Sequence, residues 1–84
     1  MSKRELHPIE KLNAFAKALS SNSRNGLIVH FDDWKIIYKP WVIAELGISE
    51  LRHSKHISQK SIEEIAELLY EYGYINNSHT WLRS

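Results

Sequence analysis

Residues 27–39 constrain this chain more than any other stretch, because their apolar side chains alternate with a period of two. Leu27, Val29 and Phe31 fall opposite Ile28 and His30; Trp34, Ile36 and Tyr38 then alternate with Lys35, Ile37 and Lys39. With Asp32-Asp33 as a two-residue turn, Phe31 pairs with Trp34, Val29 with Ile36 and Leu27 with Tyr38 on one face. Ile28–Ile37 and His30–Lys35 take the other. The register matches apolar partners along most of the ladder, which predicts an antiparallel β-hairpin. Pro40 ends the second strand because it cannot donate to a ladder.

Helical spacing flanks this hairpin. Pro8 suits a first helical turn, and Ile9, Leu12, Phe15, Ala16 and Leu19 form an apolar stripe, so a helix is expected over about residues 8–20. The polar run from Ser20 to Gly26 reads as the loop that ends it. Residues 41–51 read as helical with Gly47 as the weak point, either as one helix or as two joined at Gly47-Ile48-Ser49. Ser61-Ile62-Glu63-Glu64 matches a capping box. Ile62, Ile65, Ala66, Leu68, Leu69 and Tyr72 line the helix that follows, and Gly73 stands at its C′ position. Tyr74-Ile75 predicts a short last strand, and Trp81 is expected to fold back on the core. The predicted fold is α+β: an N-terminal helix, a hairpin, then two helices packed on a small sheet with a short C-terminal strand.

At 84 residues there is room for one small domain, 1–84, with residues 1–7 read as a frayed lead-in. Eleven Lys and Arg against ten Asp and Glu leave no global charge excess. The absence of cysteine excludes a disulfide scaffold, a thiol nucleophile and a Cys-type zinc finger. No apolar run approaches the length of a membrane span, and the start MSKRELHPIE lacks a signal-peptide core, so a cytoplasmic protein without a membrane partner is expected.

Within Ala44-Glu45-Leu46-Gly47-Ile48-Ser49 the sequence resembles the middle of a helix-turn-helix, where a small residue and a glycine let two helices cross closely. It departs from that pattern at Ile43, where the small residue belongs, and at His53 and His56, where apolar positions belong. Leu68-Leu69-Tyr70-Glu71-Tyr72-Gly73-Tyr74-Ile75 is similar to the run from a long helix through a glycine into a strand in winged-helix proteins. That resemblance implies a winged-helix-like DNA-binding regulator. The helix before Gly73 carries Glu63, Glu64, Glu67 and Glu71 and no base, so phosphate repulsion excludes it from a DNA groove.

Charge is unevenly placed. Residues 34–60 hold five Lys and Arg against two Glu, a net +3, whereas residues 61–72 hold four Glu. Lys35, Lys39, Arg52, His53, Lys55, His56 and Lys60 are therefore the candidate residues for binding nucleic acid or a partner. A second candidate is an exposed apolar patch of Ile28, Ile37 and Trp41 on the uncovered hairpin face, suited to a homodimer or another protein. His53-x-x-His56 lacks the third and fourth ligands zinc needs, and no nucleophile elbow or phosphate-cradling glycine loop occurs. The expectation is a small non-enzymatic regulatory protein without cofactor or metal. It binds DNA or, as the alternative, acts as an adaptor or inhibitor of the kind mobile elements encode, on one protein partner.

Overall fold

In the computed structural model, which describes residues 8–83, every regular element is helical. The order is α1 (Pro8–Ala18), α2 (Ser21–Phe31), a 3-10 helix (Trp34–Tyr38), α3 (Pro40–Leu46), α4 (Ile48–Arg52), α5 (Gln59–Glu71) and α6 (Ser78–Arg83). The expected α+β sheet, with its hairpin, last strand and winged-helix-like form, is thus corrected to a helical bundle. The frayed segment 1–7 lies outside the described residues.

The hairpin fails for reasons visible residue by residue. Ser20 does not end α1 in a long loop; its hydroxyl accepts the Ser23 N–H at 3.2 Å and caps α2. From that cap, Ser23, Gly26 and Leu27 recur at helical spacing and are buried, with Phe31 one turn further on. Leu27 is fully buried while Val29, its expected neighbour on the same face, is 54% exposed. Ile36 and Ile37 are adjacent and both buried, which a hairpin with one uncovered face would not give and a tight helical turn allows. Asp32-Asp33 is indeed a turn, but between two helices. Asp32 is left-handed (φ 53°), and the Asp32 and Asp33 amides close on the Val29 and Ile28 carbonyls of α2. Asp33 Oδ1 then accepts the Lys35 N–H at 3.0 Å and caps the 3-10 helix.

Pro40 starts α3 rather than stopping a strand. The chain breaks at Gly47, whose φ of 82° and ψ of 177° lie where a side chain is strained, so α3 and α4 are separate. The cap of α5 is Ser58 and not Ser61: its hydroxyl accepts the Ser61 N–H at 3.2 Å, leaving Ser61 buried inside the first turn. At the other end, the Tyr74 N–H reaches the Leu69 carbonyl (2.8 Å) and Gly73 N–H that of Tyr70 (3.1 Å), a Schellman closure in place of the last strand. Trp81 is buried, and its indole N–H donates to the Ala44 carbonyl at 3.0 Å, docking α6 on α3. One apolar cluster runs through these elements, with Phe15, Leu27, Ile43, Ile48, Leu51, Ile65 and Leu69 fully buried at its centre. No helix among the described residues is long and apolar enough to cross a membrane.

Candidate nucleic-acid interface

Two clamps hold α2 against α5 and the segment that precedes it. At one end, Glu64 of α5 accepts hydrogen bonds from the Ser20 hydroxyl (2.8 Å), the Ser20 N–H (3.1 Å) and the buried Ser23 hydroxyl. Partial burial works to raise the pKa of this carboxyl, yet the three hydrogen bonds outweigh it and hold the group below its ordinary value. Glu64, expected to reach back within its own helix, therefore staples two helices together. At the middle of α2 lies Gly26. A Cβ there would stand 2.5 Å from the His56 carbonyl oxygen and 3.1 Å from Ile57 Cγ1, so only hydrogen permits this approach.

Between the clamps runs an open groove of about 330 Å³, lined by Asn22, Asn25, Gly26, Val29, His56, Ser58 and Ser61. Asn22, Asn25 and Val29 occupy one face of α2 at three- and four-residue spacing and are all exposed. The lining is amide, hydroxyl and imidazole, which is hydrogen-bonding chemistry. Ser23, the hydroxyl joined to a carboxylate, is fully buried beneath the groove, so that pair is structural.

The packing also joins two stretches of sequence that contain no acid. Residues 11–31 carry Lys11, Lys17 and Arg24 with no Asp or Glu, and residues 51–62 carry Arg52, Lys55 and Lys60 with none. Arg24 is spent on structure, its guanidinium donating to the Leu19 (3.1 Å) and Ala16 (3.4 Å) carbonyls that end α1. Three carboxylates of the neighbouring elements are engaged by hydrogen bonds: Glu64 with the two serines, Glu63 with Gln59 at 3.3 Å, and Glu50 with His30 at 3.0 Å.

His56 lines this groove, the exposed Lys55 and Lys60 adjoin its lining residues in sequence, and the exposed His53 lies three residues before His56, outside the lining. Arg52 is exposed but donates to the Leu82 carbonyl at 2.7 Å, tying α4 to α6. Lys35 and Lys39 belong elsewhere, at the corner between the 3-10 helix and α3, where Lys35 Nζ stands 5.9 Å from the Trp34 ring centre. Of the expected apolar patch, Ile37 is core at 6% exposure and Ile28 packs against the core, because no hairpin exists to turn them outward; Trp41 is exposed. Asn22, Asn25, Val29 and Ser58 were not among the sequence candidates. Their signal was the paired Ser-x-x-Ser spacing at 20–23 and 58–61, together with the acid-free run across 11–31.

Among the described residues no group of three or more His, Asp or Glu lies close enough to hold a metal ion. Comparison with protein-family models, with curated proteins and with solved structures finds no match to this chain.

Proposed function

We propose that this protein binds nucleic acid through the groove between α2 and residues 53–61, as a small helical DNA-binding regulator without catalytic activity. One observation carries the reading: the fold packs an acid-free helix against the densest basic segment of the chain and leaves an open, hydrogen-bonding groove along the seam. A phosphate backbone needs cations and is repelled by exposed carboxylates, which favours the acid-free segment of His53, Lys55, His56 and Lys60 over the exposed acidic face of α5. A helix of 11 residues is about 16 Å long, enough to lie in a major groove. Asn22 and Asn25 supply the amide pairs that read adenine edges, and Val29 offers an apolar contact for a thymine methyl.

The test places a charge on the reading face. Asn25→Glu is an exposed change that leaves the core untouched, and it is expected to weaken binding to labelled duplex DNA at least tenfold, whereas Asn13→Glu, exposed on α1, leaves affinity within about twofold. Equal affinity for the two variants would remove α2 from the interface.

A further inference from the structure

We infer that DNA binding in the groove between α2 and residues 53–61 is coupled to uptake of a proton by the imidazole of His56, so that the protein holds DNA more tightly as pH falls from about 8 to about 5.5. The inference rests on the reading of this groove as a nucleic-acid interface and supplies its regulation. Of the seven residues that line the groove, His56 is the only one of a type that changes charge in that range; the others carry amide, hydroxyl or hydrocarbon side chains or, at Gly26, none. The backbone of His56 is fixed from two sides. Its N–H donates to the Ser54 hydroxyl oxygen at 3.0 Å, and its carbonyl oxygen lies where a Cβ on Gly26 would approach to 2.5 Å. Ile57, the next residue, is buried in the core. The His56 side chain itself is exposed, so the turn before α5 holds an open imidazole at the groove.

The groups around His56 leave its charge to act on a ligand. From α2, Asn22, Asn25 and Val29 line the groove, and none titrates. Arg24 of the same helix is spent on the Leu19 and Ala16 carbonyls, and His30 on Glu50 at 3.0 Å. Among the described residues His56 has no such carboxylate partner. From the start of α5 come Ser58 and Ser61, with Lys60 between them in sequence. Glu64, one turn beyond Ser61, is held below 4.5 by the Ser23 and Ser20 hydrogen bonds and keeps its charge across the whole range. In the turn itself Lys55 stays cationic, and His53 lies outside the lining. A phosphate entering the groove is thus met by one group whose charge depends on pH. Binding and protonation are reciprocal: whatever factor the proton adds to DNA affinity, bound DNA adds to the proton affinity of His56.

Binding of the full chain to labelled duplex DNA at about pH 8 and about pH 5.5, in matched salt of about 50 mM, decides it. Wild-type affinity is expected to rise roughly fivefold or more at the lower pH. Its log–log dependence on salt should steepen by about 0.9, the release that accompanies one more neutralised phosphate. His56→Asn keeps a polar side chain without a titrating group and should lose both effects. His56→Lys carries a fixed charge and should bind at the higher pH about as tightly as the wild type does at the lower. His79→Asn, exposed on α6, should change neither effect. Equal affinity at the two pH values, a pH response that survives His56→Asn, or a His56→Lys variant that gains nothing at the higher pH would overturn the inference while leaving the groove a nucleic-acid interface. Absence of binding at either pH would overturn both.

Discussion

The carbonyl of His56 rests against Gly26 so closely that a Cβ at residue 26 would lie 2.5 Å from its oxygen. An exposed glycine in mid-helix normally costs about 1 kcal/mol relative to alanine. Here the sign reverses, because the obstacle is backbone and cannot swing aside. Gly26→Ala is therefore expected to destabilise the fold by about 1–3 kcal/mol and to push residues 53–58 away from α2. A urea midpoint that rises, as for an ordinary helical glycine, would show the contact to be slack.

The helix starts give a second prediction. Ser58, not Ser61, accepts the first-turn amide of α5, so Ser58→Ala should cost about 1 kcal/mol, and Ser61→Ala less, since it removes only a 3.3 Å hydroxyl contact to Ser58. Chemical denaturation of the two variants side by side measures the order; the reverse order would return the cap to Ser61.

Glu64 links stability to pH. Its carboxyl titrates below the ordinary value of 4.5 in the folded chain because Ser23 and Ser20 donate to it. A depressed pKa favours the folded state fully above 4.5, and that contribution fades as pH falls through the folded value. Glu64→Gln should thus cost about 1–2 kcal/mol near neutrality, with the difference from wild type shrinking below pH 4.5. A gap that is constant with pH would mean that the ionised carboxylate is not what the serines hold.

Much of the helical framework was legible in the sequence. The stripe over Phe15, Ala16 and Leu19 (though not Ile9 at its start, which is exposed), the break at Gly47, the closure after Gly73 and the return of Trp81 all rest on local chemistry that the fold keeps. The hairpin was not, and Leu27-Ile28-Val29 explains why: three consecutive apolar residues satisfy a period of two and a period of 3.6 equally well. What decided between them was the cap at Ser20, a serine whose neighbours Ser21, Asn22, Asn25 and Gly26 also spell a loop. The groove was hidden for the same reason. Lys55, His56 and Lys60 stood out by charge, but their partners on α2 are neutral and become a surface only once α2 is a helix.

Binding to duplex DNA as a function of salt tests the central claim most directly. Each lysine contacting a phosphate releases a counterion, so affinity should fall steeply between about 50 and 200 mM salt. Lys55→Ala with Lys60→Ala should flatten the log–log slope by about 2 and weaken binding to every sequence alike, while Lys35→Ala with Lys39→Ala, at the 3-10 helix and outside the groove lining, should leave that slope unchanged. Absence of binding at tens of micromolar protein in about 50 mM salt, or a slope indifferent to Lys55 and Lys60, would contradict the assignment of this groove to nucleic acid.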